Sequence, residues 1–268
     1  MKRLYILLFM SFLSLGIYAQ ELTILHLNDT HSHIDPERNG IGGVIEQAAF
    51  VDSVRQAVGK NNMLLVHSGD FSQGTSYFSE LHGDIEINVL NAMQYDAVAL
   101  GNHEFDNGIA ELARRIRNLD VPVVCANYDF SGSQLEGLVK PYVIVKKSGK
   151  KIGIIGLLTD VSSVVEKSVA NQLSYKNPIS VTNEYAEYLK TKKKCDYIIC
   201  LSHLGYNNGE HRDCEIAPML RNVNVIVSGH SHTKLDDFTR VKDFDGKDVI
   251  IVSDGRWGLE VGQLSVKF

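Results

Sequence analysis

The stretch Tyr95-Asp96-Ala97-Val98-Ala99-Leu100-Gly101-Asn102-His103-Glu104-Phe105-Asp106 decides the fold, because an apolar run passes directly into a polar turn. Residues 95–100 are typical of a strand, and apolar side chains recur at helical spacing after the turn. Helix capping by Asp106 would explain that aspartate but leaves Asn102 and His103 unexplained. Because strand-to-helix turns in α/β sheets often carry functional sites, we expect a site here.

Four other apolar runs end in residues of the same kinds. They run into Asp29-Thr30-His31, Gly69-Asp70, Ser202-His203 and Gly229-His230-Ser231-His232. Neighbouring strands of a sheet end side by side, so we expect these groups to converge at one edge. With the asparagine of the first stretch they supply seven candidate metal ligands: Asp29, His31, Asp70, Asn102, His203, His230 and His232.

This ligand set predicts two divalent metal ions. Nitrogen and oxygen donors without a thiolate suit zinc, manganese, iron or cobalt better than calcium. Seven ligands are too many for one tetrahedral ion but suit two ions that share a carboxylate. In an extended chain Asp29 and His31 would point the same way, as would His230 and His232. Glycines that would let the backbone turn sharply precede three of the motifs: Gly69, Gly101 and Gly229.

The remaining histidines and the cysteines have more ordinary interpretations. A lone histidine is usually a core or surface residue, and His33 fits either a solvated loop or the support of a ligand. Cys214 could be free or paired. The histidines assigned to the ordinary class are His26, His67, His82 and His211, and the cysteines expected to be buried thiols are Cys125 and Cys200.

The chain alternates strands and helices and then adds strands. We expect a hairpin through Ser148-Gly149, a helix that begins at Asn177-Pro178, and antiparallel strands at 249–252 and 259–266. This order predicts one mature α/β domain in which layered sheets are covered by helices.

The N-terminus predicts export. A basic start precedes an apolar run from Leu4 to Gly16, which is too short to span a bilayer of ~30 Å. We predict a signal peptide at residues 1–19, a mature domain at residues 20–268, and a periplasmic or secreted protein without a membrane anchor after cleavage. Losing Lys2 and Arg3 makes the formal charge of −5 more negative. An acidic protein of this kind does not attract nucleic acid non-specifically.

The five motifs together resemble the calcineurin-like metallophosphoesterase superfamily. The resemblance implies a four-layer sandwich, with two mixed β-sheets face to face and helices outside. It also implies that His103 faces the substrate and that Asp106 orients it. Glu104 has no assigned role, and one hypothesis is that it orients a neighbouring ligand. The implied ligands are Asp29, His31 and His232 for one metal ion, Asn102, His203 and His230 for the other, and Asp70 as the bridge between them.

The fuller sequence of the motifs resembles the exported 5′-nucleotidase branch of that superfamily, which implies a phosphomonoesterase acting on nucleotides. Many relatives carry an amide where His232 stands. Relatives also continue into a second domain that binds the nucleobase, and no segment up to Phe268 can be assigned to that task. Two alternatives therefore stay open. One is a cyclic-nucleotide or other phosphodiesterase, or a broad phosphatase on sugar phosphates. The other is a catalytic subunit that needs a separately encoded substrate-binding polypeptide.

Overall fold

The computed structural model describes residues 20–207 and 211–268, so the predicted signal peptide lies outside the described residues. In this part of the chain, no helix is both long and apolar enough to cross a bilayer. The strands are β1 Glu21–Leu27, β2 Met63–His67, β3 Ala97–Ala99, β4 Val123–Val124, β5 Tyr128–Asp129, β6 Val139–Lys140, β7 Tyr142–Lys147, β8 Lys150–Leu158, β9 Ser174–Tyr175, β10 Tyr197–His203, β11 Val225–Ser228, β12 Thr239–Lys242, β13 Asp248–Val252 and β14 Gly262–Lys267. The α-helices are α1 Val44–Val58, α2 Ser76–Leu81, α3 Asp84–Met93, α4 Gly108–Arg117, α5 Lys167–Ala170, α6 Pro178–Thr191 and α7 Asp213–Ile216.

Most of the strands form two six-stranded sheets. The first has the order β14-β1-β2-β3-β4-β6 and the second the order β12-β13-β11-β10-β8-β7. In the first sheet β14 runs antiparallel to β1 and the other neighbours are parallel. In the second sheet the edge strands β12 and β7 are antiparallel to their neighbours and the inner strands are parallel. Both sheets are therefore mixed, and the parallel strands of each end at the same edge.

Three apolar layers hold the sheets and helices together. Ile24 of β1 and Ile199 of β10 belong to the layer between the two sheets. Leu25 follows Ile24 and therefore points to the opposite face, where it belongs to a layer with Leu112 of α4. A third layer, which includes Leu189 of α6, covers the outer face of the second sheet. The order helices, sheet, sheet, helices confirms the predicted four-layer sandwich.

The elements expected from the sequence are present, with two differences. The hairpin through Ser148-Gly149 joins β7 to β8, and the Asn177 side chain caps α6 by accepting a hydrogen bond from the Ser180 backbone N at 3.0 Å. Strand β3 covers Ala97–Ala99 and is therefore shorter than the strand predicted at residues 95–100. The two antiparallel strands near the C-terminus lie in different sheets, since β13 pairs with β12 and β14 pairs with β1.

The cysteines are mainly core residues. Cys125 and Cys200 are buried, as predicted, and Cys195 is buried as well. Burial raises the pKa of the Cys125 thiol to about 12, which keeps it protonated. Cys214 is half-buried and free.

Candidate metal centre

The predicted ligands lie where strands of both sheets end. Strands β1, β2 and β3 of the first sheet and β10 and β11 of the second pass directly into the polar motifs. Three groups of three side chains have ligand atoms within 4.8 Å of one another: Asp29 with His31 and His232, His31 with Asp70 and His103, and Asp70 with His203 and His230. The candidate metal centre is defined below as Asp29, His31, Asp70, Asn102, His203, His230 and His232.

Asp70 lies between two sets of imidazoles. Its Oδ2 is 3.0 Å from His203 Nε2 and 3.9 Å from His31 Nε2. Asp29 Oδ1 is 3.8 Å from His31 Nε2 and 3.4 Å from His232 Nε2. Since Asp70 belongs to two of the three groups, its position is the one that a carboxylate bridging two cations would need.

Five residues of the candidate metal centre have an unusual backbone conformation. Asp29, His31, Asp70, His230 and His232 all lie in the left-handed region, with φ between 47° and 67°. The extended conformation that we expected for these stretches is therefore wrong, although the side chains of Asp29 and His31 do reach the same group. The backbone N of His31 donates to the Asp70 carbonyl at 3.0 Å, which holds two of these turns against each other. Non-glycine residues rarely adopt this region, and those that do are concentrated at functional sites.

The glycines next to the ligands serve two purposes. Gly69 has a φ of 94° and provides the sharp turn that the sequence predicts. Gly101 does not need a left-handed conformation, but a Cβ at that position would overlap Oδ1 of Asp70. A Cβ at Gly229 would lie 2.9 Å from His203 Nδ1. Gly101 thus allows the end of β3 to approach the turn after β2, and Gly229 allows the end of β11 to approach the end of β10.

The donor atoms fit a cation. Burial lowers the pKa of His31 and of His230 to about 4, so both rings are neutral at pH 7, the form that binds a metal ion. His203 Nδ1 lies 2.7 Å from the Ser68 carbonyl and donates to it, so Nε2 is the nitrogen that faces Asp70. Burial lowers the pKa of His203, but the charge of Asp70 and the hydrogen bond to it outweigh burial and raise the pKa to about 10, so Nε2 carries a proton that a bound cation would displace. Among the described residues, buried Asn102 Oδ1 finds no hydrogen-bond partner, and buried His203 Nε2 has only the Asp70 carboxylate beside it, at 3.0 Å. A cation between these atoms would supply the missing partner.

His103 and Asp106 form a pair at the open side of the centre. His103 Nδ1 lies 2.8 Å from Asp106 Oδ2, and the His103 ring meets the His31 ring edge-on at 5.3 Å. Burial lowers the pKa of His103, but the hydrogen bond with Asp106 and the charge of Asp70 outweigh it and raise the pKa overall. Asp106 does not cap α4, because the capping position is occupied by Asn107, which makes no side-chain cap bond.

Glu104, which the sequence left without a role, holds two turns together behind the centre. Its carboxylate accepts hydrogen bonds from the backbone N atoms of Asp70 at 2.9 Å, Ser72 at 3.0 Å and Gly101 at 2.7 Å. Burial and the charge of Asp70 raise the pKa of Glu104 to about 7, against the effect of the backbone hydrogen bonds. The side chain therefore ties the turn after β2 to the turn after β3.

Arg115 is the neighbour of the site that sequence reasoning missed. Its side chain is fully buried, with Nη1 donating to Ser72 Oγ at 2.9 Å and Nη2 donating to the Glu104 carbonyl at 2.6 Å. The signal was its place in α4, since Arg115 is three residues after Leu112 and so lies on the buried face of the helix.

Two other histidines lie near the centre without joining it. His67 is buried, accepts a hydrogen bond from the Gly69 backbone N at 3.2 Å, and contacts Thr30 Oγ1 at 3.1 Å, which is an ordinary core role. His33 stacks on Trp257 with ring centroids 4.6 Å apart and contacts Glu37 at 2.9 Å.

The four-layer sandwich and a cluster of imidazoles and carboxylates at its strand ends define the class of the metal-dependent phosphoesterases. The chain belongs to the calcineurin-like phosphoesterase family, whose family model matches residues 22–234. The family predicted from the sequence motifs is therefore confirmed.

Several known proteins similar to this chain are nucleotidases. The chain is 32% identical to a probable 5′-nucleotidase of Treponema pallidum, over 92% of this chain and 45% of that protein. Among solved structures, a 5′-nucleotidase precursor from Thermus thermophilus has a TM-score of 0.85 and 36% identity. The match covers 92% of this chain and 51% of the precursor chain. NAD nucleotidase of Haemophilus influenzae has a TM-score of 0.81 and 32% identity. That match covers 93% of this chain and 48% of the nucleotidase chain. The chain spans about half the length of the curated relatives it matches.

Proposed function

We propose that this chain hydrolyses phosphate monoesters of nucleotides with two divalent metal ions. The observation that carries the proposal is the position of Asp70, which belongs to one group with His31 and to another with His203. A carboxylate shared in this way is typical of two-metal hydrolytic sites, where the ions are roughly 3.5–4 Å apart. The nucleotidases to which the chain is similar support a nucleotide as the substrate.

We assign the ligands to two sets that share Asp70. When bound, the two ions neutralise the charge of the phosphoryl group and make the attacking water more acidic. Zinc, manganese, iron and cobalt match the nitrogen and oxygen donors. One set is Asp29, His31 and His232, and the other is Asn102, His203 and His230.

His103 would contact the substrate rather than an ion. Its hydrogen bond to Asp106 uses Nδ1, so Nε2 is free to donate to a phosphoryl or leaving-group oxygen. The raised pKa favours the imidazolium, which stabilises the negative charge that develops during the reaction. Asp106 acts through His103 and is a positioning residue.

A substrate panel on metal-reconstituted protein tests this proposal. Nucleoside monophosphates, cyclic nucleotides and bis(p-nitrophenyl) phosphate would be compared on the unchanged chain and on Asp70→Asn. We expect phosphate release to be fastest from nucleoside monophosphates, and both bound metal and activity to be lost in the variant. Full activity of Asp70→Asn would remove Asp70 from its bridging role.

The same panel separates the alternatives. Preference for the diester would replace the proposal by a phosphodiesterase, and equal rates on sugar phosphates would indicate a broad phosphatase. The similarity to NAD nucleotidase adds NAD, whose two nucleotides are joined by a pyrophosphate, to the substrates worth testing. High turnover and tight substrate binding by the purified chain would exclude the need for a separately encoded substrate-binding polypeptide.

We also propose that residues 1–19 direct export and are removed. The basic start and the short apolar run support this, as does the small residue Ala19 at the expected cut. The intact mass of protein recovered from the periplasm or medium of an expressing bacterium should correspond to a chain that begins at Gln20. Recovery of the uncut chain in the cytoplasm would contradict the proposal.

A further inference from the structure

We propose that Arg256 binds the phosphoryl group of the substrate at the open edge of the candidate metal centre. The inference rests on the proposed function, because it assigns a further contact to the same substrate. Arg256 is exposed and lies in the turn between β13 and β14.

The turn that carries Arg256 is fixed to the end of β1. The backbone N of Trp257 donates to the carbonyl of Asp29 at 2.7 Å, and Asn28 Nδ2 donates to the Gly255 carbonyl at 2.7 Å. Trp257, the single tryptophan of the chain, has a φ of 63°, a costly conformation for an aromatic residue. Arg256 is therefore held next to Asp29, a residue of the candidate metal centre.

The guanidinium of Arg256 is positioned while its hydrogen-bond donors stay available. Its Cζ lies 4.1 Å from the centroid of the Trp257 ring, a cation–π contact that orients the side chain. Within residues 20–207 and 211–268, no carboxylate lies within ion-pair distance of it. Arg221 is different, because it stacks on Phe244 at 4.0 Å but also pairs with Asp245 at 2.5 Å.

The polar contact of Arg256 points it toward the centre. Its Nη1 lies 3.4 Å from His232 Nδ1, whereas His232 Nε2 faces Asp29 Oδ1 at 3.4 Å and His31 Nε2 at 2.9 Å. Nε2 is thus the nitrogen that would bind a cation, and the ring proton would then stay on Nδ1. A protonated Nδ1 cannot accept from Arg256. The guanidinium is then free to donate to an acceptor other than His232.

A phosphoryl group is the acceptor that fits this place. The rings of His103 and His232 lie 5.3 Å and 5.0 Å from the ring of His31, so both pack against the same residue of the candidate metal centre. Arg256 contacts His232, so its guanidinium lies at the same edge of the candidate metal centre as these imidazoles. A guanidinium recognises phosphate oxygens through paired, charge-assisted hydrogen bonds.

Titration of inorganic phosphate into the metal-loaded chain, followed by calorimetry, tests the proposal. The variants are Arg256→Ala, Arg256→Lys and the matched control Arg221→Ala, with metal content measured for each. We expect Arg256→Ala to raise the Kd for phosphate and the KM for a nucleoside monophosphate by about 10- to 100-fold, the usual effect of a lost charge-assisted hydrogen bond. Arg256→Lys should restore part of the affinity, and Arg221→Ala should match the unchanged chain.

Two outcomes would overturn the proposal. One is an unchanged Kd for phosphate in Arg256→Ala, and the other is loss of bound metal in that variant, which would make Arg256 a support for His232. A different result would contradict the proposed function alone: the unchanged chain binds phosphate but releases none from any nucleotide. In that case a raised Kd in Arg256→Ala would still support a phosphate-binding role.

Discussion

Glu104 and Asp106 are two carboxylates of the same turn, and they face opposite sides of the site. Glu104 is fully buried and accepts hydrogen bonds from three backbone N–H groups. The Asp106 side chain is 28% exposed and contacts His103. Burial thus decides what each acid does, since the buried one fixes the backbone of the turns and the exposed one sets the charge of a neighbouring imidazole.

Two consecutive arginines of α4 repeat the same contrast. Arg114 lies on the exposed face, where it pairs with Glu111 at 2.6 Å and with Asp84 at 2.5 Å. Arg115 lies on the buried face and donates to Ser72 and Glu104. Surface ion pairs contribute little to stability, whereas a buried polar group without its partner costs about 1–3 kcal/mol. We therefore expect substitutions of the buried residues Glu104 and Arg115 to change the free energy of unfolding more than substitutions on the exposed face of α4.

The largest effect is expected for His103→Ala, which removes the imidazole that the exposed carboxylate Asp106 contacts. We expect turnover to fall by roughly two to four orders of magnitude, because the variant loses the group that we propose donates to the substrate. Bound metal and the free energy of unfolding should stay close to those of the unchanged chain. Turnover on a nucleoside monophosphate and metal content by mass spectrometry would be measured together.

The matched control for that variant is His82→Ala, since His82 is exposed at the end of α2. It should leave turnover unchanged. Near-normal turnover in His103→Ala would exclude His103 from the reaction, and loss of metal in that variant would make it a ligand.

Glu104→Gln tests the buried carboxylate of the pair. At pH 5 the carboxyl of Glu104 is protonated but keeps acceptor lone pairs on both oxygens, whereas an amide has a single acceptor oxygen and would place its NH2 group against backbone N–H groups. We therefore expect the free energy of unfolding at pH 5 to fall by about 1–3 kcal/mol. The measurement is urea denaturation of the chain after metal chelation. Glu111→Gln, on the exposed face of α4, is the control and should change the unfolding free energy by less than about 1 kcal/mol.

The difference in unfolding free energy between the unchanged chain and Glu104→Gln should also depend on pH. Because the pKa of folded Glu104 is raised from 4.5 to about 7, the folded state binds this proton more tightly than the unfolded chain. The resulting stabilisation is complete below pH 4.5 and is lost as the pH rises through about 7. The gap between the unchanged chain and Glu104→Gln should therefore narrow from pH 5 to pH 8, and a gap that widens would contradict the raised pKa.

The sequence predicted where these Asp and His side chains converge, because strand ends and polar motifs are local features. It did not predict how they meet. Asp29 and His31 converge through left-handed turns rather than an extended chain, and such turns depend on hydrogen bonds from distant residues. Arg115 was missed for a similar reason, since a charged residue in a helix indicates a solvated face unless its buried partners, Ser72 and Glu104, are known.

The smallest effect is expected for Asp106→Asn, which sharpens the comparison because it is the same carboxylate-to-amide change as Glu104→Gln. Without the carboxylate the pKa of His103 falls, so the protonated form is lost at lower pH and the alkaline limb of the pH–rate profile should move toward acid. We expect turnover at neutral pH to drop about tenfold, with little change in unfolding free energy. In the double variant His103→Ala/Asp106→Asn the loss should equal that of His103→Ala alone, because Asp106 acts through that ring. Additive losses would show that Asp106 has a separate role in the reaction.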